Sequence, residues 1–165
     1  MPPRSPLSWP VLVIRILMGL FFLFEFASQL SGGWLGGDGL ATKLTRSLAD
    51  NNIPPPYTWF LENVVLDLDG LFTVLTLAGE LAVGLGLALG LVTRFSAANA
   101  IFMNLNFWLM NGLTTGGAIF DLVFVAGGIV VLSLAHRQAF SADERLAARG
   151  FRHRLLSGDI AARRP

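Results

Sequence analysis

The sequence contains no cysteine and only two histidines, and this scarcity removes several kinds of site. Without cysteine the chain cannot form disulfides, carry out thiol redox chemistry or hold an iron–sulfur cluster through thiolates. His136 and His153 lie at or beyond the end of the last apolar run, so a histidine pair holding haem between membrane helices is not expected. The carboxylates also lack the Glu-x-x-His spacing of di-iron bundles. We therefore predict no metal site and no covalently bound cofactor.

Charged residues are scarce as well. They make up 14% of the 165 residues, whereas 53% are hydrophobic. A water-soluble domain this apolar would need an unusually large core, so the composition favours a membrane protein. The glycines follow helix-packing spacing and do not form a phosphate-binding loop.

Four apolar runs are present, and about 20 residues of helix cross a bilayer core of roughly 30 Å. The predicted fold class is all-α, a four-transmembrane-helix bundle. A cleaved signal peptide is the alternative for the first run, but Arg15 interrupts the run and disfavours it. We predict a four-helix membrane domain over residues 1–140 and a basic cytoplasmic tail over residues 141–165. The predicted spans cover residues 11–30, 72–91, 97–111 and 118–135.

A long connection, residues 31–71, separates the first two spans. Leu40, Leu44 and Leu48 recur every four residues, which predicts an amphipathic helix lying on the membrane surface. Three prolines end it, and aromatic residues from Tyr57 onward predict a second amphipathic piece at interfacial depth. We expect a long amphipathic extracytoplasmic loop that covers the mouth of the bundle.

The distribution of lysine and arginine predicts the orientation. With both termini on one side, nine of these residues outside the spans fall together, and only Lys43 and Arg46 fall opposite. Cytoplasmic segments carry the basic excess, so both termini are predicted to be cytoplasmic in a bacterial-type inner (cell) membrane. Anionic lipid head groups explain the basic tail more simply than nucleic acid, so no nucleic-acid partner is predicted.

The second span, with the sequence LAGELAVGLGLALGLVTR at residues 77–94, combines small residues with one carboxylate. Ala82, Gly86 and Gly90 recur every four residues and are predicted to let a neighbouring helix approach closely. Glu80 lies about 12 Å below the outer end of the helix at 1.5 Å per residue. A carboxylate at that depth costs on the order of 2.5–3.5 kcal/mol, so it needs a partner or a function.

Helices of alternating direction bring several polar residues to one level near the outer end of the bundle. The predicted set is Glu25, Gln29, Glu80, Asn106, Asn111 and Asp121. One interpretation is a pocket for the head group of a lipid-soluble molecule, with Glu80 and Glu25 as catalytic candidates. The other is that these groups bond one another and fix helix register, which we favour for the asparagines alone. Asp121 lies near enough to the interface to be solvated there.

Arg15 lies in the inner half of the first span, and two interpretations stay open for it. It could snorkel to lipid phosphates, or it could reach across to Glu80. Gly19, one turn further on, would permit close approach of the second helix. In the third span, Asn99 and Asn106 share one helix face, and Asn104 and Asn111 share another.

Several segments together resemble the DoxX/DoxD family of small four-helix membrane proteins. They are VIRILMGLFFLFEFASQL, GELAVGLGLALGLVTR, FMNLNFWLMNG and GAIFDLVFVAGGIVVLSLAHRQAFSADERL, within residues 11–146. The resemblance implies a membrane subunit associated with respiratory or sulfur redox chemistry, in some members a quinone reductase acting on thiosulfate. Members often carry a glycine and a lysine where this chain has Ala27, Ser28 and Gln29.

Two hypotheses follow. The first is a redox-associated subunit that binds quinone at the level of Glu25 and Glu80 and works with a separate cofactor-bearing subunit. It assigns quinone binding to Arg15, Asn106, Asn111 and Asp121. The second is a non-enzymatic membrane scaffold or small carrier. Both leave a homo-oligomer open and expect the lipid bilayer as a partner.

Overall fold

A computed structural model describes residues 7–113, 115–135 and 140–148, and these residues contain seven α-helices and no strand. A short π-helical segment, Leu61–Val65, continues the third helix. The helices are α1 (Ser8–Ser31), α2 (Gly39–Asp50), α3 (Pro55–Phe60), α4 (Asp69–Leu89), α5 (Thr93–Met110), α6 (Gly116–Leu134) and α7 (Ala142–Ala148). The all-α prediction is confirmed. The basic residues beyond Ala148, together with Arg4, Arg137 and both histidines, lie outside the described residues.

The four long helices pack in a ring in which α1 contacts α4, α4 contacts α5, α5 contacts α6 and α6 contacts α1. Apolar side chains from all four helices meet inside the ring, among them Phe22, Leu87 and Val131. Many large apolar side chains face outward instead, such as Phe24, Phe102 and Val123. A water-soluble protein rarely exposes so much apolar surface.

Three helices, α1, α4 and α6, are long and apolar enough to cross a membrane. The fourth long helix, α5, has 18 residues and does not meet that criterion. Its three asparagines and Arg94 lower its mean hydropathy. Because α5 packs between α4 and α6, much of its polar surface is covered by protein.

Close packing of α1 on α4 depends on glycine at two positions. A β-carbon at Gly19 would lie 2.5 Å from the Ala88 backbone nitrogen and 2.9 Å from the Gly84 carbonyl oxygen. A β-carbon at Gly84 would lie 2.7 Å from Leu23 Cγ. The close approach expected at Gly19 is therefore present.

The predicted file of small residues on α4 is divided among different surroundings. Gly86 faces α5, where a β-carbon would overlap Ser96 Oγ. Gly90 ends α4 in a left-handed conformation, with φ +66°, and a β-carbon there would overlap the Arg15 guanidinium. Ala82 is exposed and does not contribute to packing within the chain. Close packing thus involves Gly84 against α1 and Gly86 against α5, whereas Ala82, one turn before Gly86, takes no part in it.

The connection between α1 and α4 folds onto the end of the bundle near the start of α4. Leu40 and Leu44 of α2 are buried against Leu61, Val65 and Met110. Ser47 donates a hydrogen bond to the Met110 carbonyl oxygen, and Asn51 Nδ2 donates to Ser47 Oγ at 2.7 Å. These contacts fix α2 against the last turn of α5. We call this end of the molecule the α2 end.

The opposite end is closed by the segment that follows α6. The Glu144 backbone nitrogen donates to Ser141 Oγ at 3.1 Å, so the Ser141 side chain caps the start of α7. Asp143 accepts hydrogen bonds from the Val92 and Thr93 backbone nitrogens at 2.8 and 2.9 Å. It thereby satisfies donors at the start of α5 that the helix itself leaves open. We call this end of the molecule the α7 end.

Candidate functional site

A polar cavity of about 180 Å³ lies between the long helices near the α2 end. Its charged and amide side chains come from α1, α2, α4, α5 and α6, together with the turn after α5. These are Glu25, Gln29, Lys43, Glu80, Asn104, Asn111 and Asp121. Four phenylalanines complete the wall: Phe21, Phe22, Phe107 and Phe120. The cavity thus combines acidic groups with flat apolar rings.

Glu80 is the most deeply buried of its carboxylates, with 1% of the residue exposed. Gln29 Nε2 donates a hydrogen bond of 2.7 Å to Glu80 Oε1 and so joins α1 to α4. Glu80 Oε2 and Gln29 Oε1 are both buried and have no hydrogen-bond partner among the described residues. Two oxygens on these bonded side chains are therefore left without a donor among the described residues. Buried polar atoms are nearly always paired, so this arrangement points to a ligand or a water molecule.

Asp121 and Glu25 add further negative charge to the same cavity. Asp121 of α6 is buried, and its Oδ2 accepts a hydrogen bond of 2.7 Å from Asn111 Nδ2. It is therefore not the solvated interfacial residue that the sequence allowed. Glu25 is half-buried and lies close enough for its charge to act on both Glu80 and Asp121.

Lys43, the one lysine of the sequence, also lines this cavity. It projects from α2, and its Nζ lies 5.6 Å from the ring centroid of Trp34 and 5.8 Å from that of Phe107. Both distances suit a cation–π interaction. Its positive charge acts on Glu80 and Asp121. Because Lys43 is exposed and also lines the cavity, it stands at the opening.

A second cavity of about 430 Å³ lies beside the first, among α2, α3, α4 and α5. Its wall is almost entirely apolar and includes Leu44, Phe72 and Met103. Phe107 lines both cavities and forms the wall between them. An amphipathic ligand could place its polar part in one cavity and its apolar part in the other.

Tyr57 contributes a polar group to the rim of the apolar cavity. Its hydroxyl donates to Asn106 Oδ1 at 3.1 Å. Burial raises the pKa of Tyr57 to about 12, so the phenol stays protonated and keeps donating at physiological pH.

The structure brings together five of the six residues predicted to share one level. Glu25, Gln29, Glu80, Asn111 and Asp121 all line the polar cavity. Asn106 lies in the apolar cavity instead, bonded to Tyr57.

The two asparagine pairs at residues 99–111, in α5 and the turn after it, lie on the two faces that their seven-residue spacing predicted. Asn104 and Asn111 line the polar cavity, whereas Asn99 and Asn106 line the apolar one. Three of these asparagines donate to the carbonyl four residues earlier and thus satisfy their amides within α5. Asn111 is the exception, since its amide reaches Asp121 on α6.

Arg15 takes neither of the two positions considered from the sequence. It is 1% exposed, so it does not snorkel to lipid, and it lies at the α7 end instead of beside Glu80. Its Nη2 donates a hydrogen bond of 3.3 Å to the Phe140 carbonyl oxygen, and the Asp143 charge acts on it. Gly90, which the guanidinium contacts, follows Glu80 by ten residues, or about 15 Å of helix. Arg15 therefore does not belong to the polar cavity.

Lys43 and Asn104 were not among the predicted site residues. Lys43 lies on α2, and the leucine spacing of α2 predicts only an amphipathic helix. That spacing does not show which other helices the polar side chains of α2 contact. The position of Asn104 in the cavity could have been predicted, because the sequence already places Asn104 and Asn111 on one face. Among the described residues, no group of three histidine, cysteine or acidic side chains is arranged to hold a metal ion.

Comparison with known proteins identifies one family. The family model described as DoxX matches residues 11–112, a region that runs from the first turn of α1 through α5 and includes most of the residues that line the polar cavity. No curated protein and no solved structure matches the chain. Since the family match covers more than half of the sequence, and three helices have the length and apolarity of membrane spans, this chain is a multi-pass integral membrane protein that belongs to the DoxX family.

Proposed function

We propose that the polar cavity binds the head group of a lipid-soluble quinone, and that the protein is a membrane subunit associated with respiratory or sulfur redox chemistry. The observation that carries the proposal is Glu80. It is a carboxylate with 1% exposure on a span-length helix, and one of its oxygens has no partner among the described residues. A carboxylate kept only for stability would be expected to have both oxygens satisfied, because burying charge in a membrane is costly.

The two neighbouring cavities support an amphipathic ligand. A quinone head group is a flat ring with polar oxygens, and the polar cavity offers phenylalanine rings beside carboxylates and amides. The apolar cavity beyond Phe107 suits an isoprenoid tail, and its volume of about 430 Å³ falls in the usual range for small-ligand sites. Glu80, Gln29 and Asp121 would hold the head-group oxygens. The quinone would supply the redox chemistry, and the chain would supply binding and proton exchange.

In this proposed arrangement, all four long helices span the membrane, and α5 is the least apolar of them. The α2 end faces the extracytoplasmic side. The polar cavity then opens beneath α2 on the extracytoplasmic side. Because the chain has no cysteine and no histidine within its span-length helices, electrons would reach a quinone through a separate cofactor-bearing subunit. Glu25 and Glu80 would hold or pass protons at the cavity.

Mass spectrometry of the purified protein tests the proposal directly. We expect quinone to copurify with the parent protein and to be depleted in Glu80→Ala. Glu62→Ala is the control, because Glu62 is exposed and lies outside both cavities. If equal quinone is found in parent and Glu80→Ala preparations, or none is found in a parent extracted with native lipid, the proposal is wrong. In that case the scaffold or carrier hypothesis takes its place.

A further inference from the structure

We propose that the polar cavity recognises its ligand as a hydrogen-bond donor, and so binds the reduced hydroquinone more tightly than the oxidised quinone. The inference rests on the proposed function, because it takes the cavity to be a quinone head-group site. It concerns which redox form the site prefers. The two forms have nearly the same shape, but a hydroquinone carries two O–H donors where a quinone carries only carbonyl acceptors.

With Glu80 ionised, the two oxygens of cavity-lining side chains that lack a partner in the described part of the chain are both acceptors. Glu80 Oε2 and Gln29 Oε1 are buried oxygens without a partner among the described residues. They belong to two side chains that are bonded to each other, since Gln29 Nε2 donates to the other Glu80 oxygen at 2.7 Å. A ligand that completes this pair must bring an O–H or N–H group to it. A carbonyl oxygen placed there would face lone pairs and leave both acceptors unsatisfied.

Each amide nitrogen around the cavity already donates one of its two N–H groups within the protein. Gln29 Nε2 donates to Glu80, Asn111 Nδ2 donates to Asp121, and Asn104 Nδ2 donates to the Ala100 carbonyl oxygen. The Lys43 ammonium lies over the Trp34 and Phe107 rings at the opening. Glu25 and Asp121 contribute further acceptor oxygens. Every amide nitrogen of the cavity therefore has a partner, whereas Glu80 Oε2 and Gln29 Oε1 have none among the described residues.

Charge strengthens the preference. A hydrogen bond from a neutral O–H to a carboxylate is shorter and roughly twice as strong as one between neutral groups. A site whose buried acceptors need an O–H rejects analogues that lack it, because the acceptors are then desolvated and unpaired. We expect the hydroquinone to bind about tenfold or more tightly than the quinone, which corresponds to about 1.4 kcal/mol.

Binding measurements on the full-length protein in detergent, under anaerobic conditions, test this preference. The probes are decylbenzoquinone, decylhydroquinone and the dimethyl ether of decylhydroquinone, which keeps the ring but lacks both O–H donors. Titration calorimetry gives the dissociation constants, and quenching of tryptophan fluorescence provides a second readout because Trp34 lies beside Lys43. The expected order of affinity is hydroquinone first, with the quinone and the ether both weaker by about tenfold or more.

Two variants locate the preference. Glu80→Gln replaces a carboxylate with an amide that can donate, so the ratio of hydroquinone to quinone affinity should fall at least severalfold. Gln29→Met removes the second acceptor and should also lower the ratio. Glu62→Gln, at an exposed position, should leave the ratio unchanged. The parent comparison stands even if a cavity variant does not fold.

The outcomes separate this inference from the proposed function. If none of the three probes binds the parent, the quinone site itself is wrong. If the quinone binds as tightly as the hydroquinone or more tightly, the cavity is still a quinone site but the donor preference is wrong. A weak ether together with equal hydroquinone and quinone would indicate steric exclusion of the methyl groups and would likewise overturn the inference. A preference that persists in both cavity variants would exclude Glu80 and Gln29 as its source.

Discussion

Arg15 and Glu80 are both charged residues with only 1% exposure, but their surroundings differ. Arg15 is enclosed at the α7 end, where the Phe140 carbonyl oxygen and the Asp143 charge compensate it. Glu80 lines the polar cavity, with one oxygen bonded to Gln29 and the other without a partner among the described residues. Breaking a buried charge pair is costly, which is consistent with a structural role for Arg15. Glu80 is the functional candidate because one of its oxygens lacks a partner among the described residues.

Substitutions at Glu80 should separate folding from function. Glu80→Gln keeps the shape and an oxygen that can accept from Gln29, so the protein should fold but lose a redox or transport role. Glu80→Ala removes the acceptor of Gln29 as well and should cost about 1–3 kcal/mol of stability. Thermal melting in detergent and growth of a strain dependent on this protein measure the two effects. Full activity of Glu80→Gln would reduce Glu80 to a structural residue and remove the quinone hypothesis.

Asp143 should be important for stability although it lies outside the span-length helices. Its carboxylate accepts from the Val92 and Thr93 backbone nitrogens and from Thr93 Oγ1, and the residue is 3% exposed. Asp143→Ala removes this cap from α5 and one compensating charge from Arg15, so we expect a loss of about 2 kcal/mol or more. The melting temperature in detergent measures it.

Glu144 offers the matched control for Asp143. It is the next residue in the chain, carries the same charge and is exposed. Glu144→Ala should therefore melt within about 0.5 kcal/mol of the parent. If both alanine variants melt alike, the contact between α7 and the α4–α5 turn does not stabilise the fold.

The residues of the polar cavity could be predicted largely because helix rise and alternating direction determine depth. Glu25, Gln29, Glu80, Asn111 and Asp121 were all found by counting residues along four helices. Depth alone does not give the direction in which a side chain points, so Asn106 was assigned to the wrong cavity. Arg15 could not be placed, because its surroundings include a segment more than a hundred residues away that folds back onto α4 and α5.

At the scale of helices, α1 and α4 are held together by backbone contact at glycine. Gly19→Ala would set a β-carbon 2.5 Å from the Ala88 nitrogen, and neither helix backbone can move without disturbing the packing around Phe22 and Leu87. We expect a loss of about 1–3 kcal/mol, as for other overpacked interiors. Melting in detergent measures the change.

Gly70→Ala is the control for this substitution. Gly70 also lies in α4, but a β-carbon there would have no neighbour within 4 Å. The change should be neutral or slightly stabilising, because alanine favours helix by up to about 1 kcal/mol over glycine. A Gly19→Ala protein as stable as Gly70→Ala would show that α1 and α4 are not in close contact at this position.

Small residues at helical spacing indicate that α4 packs closely, but they do not identify the face. Two files were available, one through Ala82, Gly86 and Gly90, the other through Gly84 and Ala88. The second contacts α1 at Gly19, and Gly86 contacts α5. Gly90 serves as a left-handed helix end beside Arg15. To choose between the two files, one must know which helices are neighbours of α4. The spacing of residues within one helix does not give that information.

At the scale of the whole molecule, the two ends of the bundle differ in construction. The α2 end carries Lys43 and Arg46 on a helix that covers the cavities. The α7 end carries Arg94 and Arg145 and leads into the basic tail. The start of α1 lies at the α7 end, since the Trp9 ring lies 5.6 Å from that of Phe140. Arg94 and Arg145 therefore lie at the α7 end, where α4 ends and α5 begins, and the basic tail follows in the sequence.

This asymmetry predicts the orientation in the membrane. We expect the basic residues of the α7 end and of the tail that follows it to keep that end in the cytoplasm, so reporter fusions after Arg94 and after Arg152 should both report cytoplasm. A fusion near Lys43 should report the outside, because an odd number of spans precedes it. The fusion after Arg94 follows two spans and the one after Arg152 follows four, so agreement between them also tests whether α5 crosses the membrane despite its asparagines. If the Arg152 fusion reports the outside while the Arg94 fusion reports cytoplasm, α5 and α6 do not both span. A cytoplasmic report near Lys43 would place the polar cavity on the inner side and contradict the four-span arrangement.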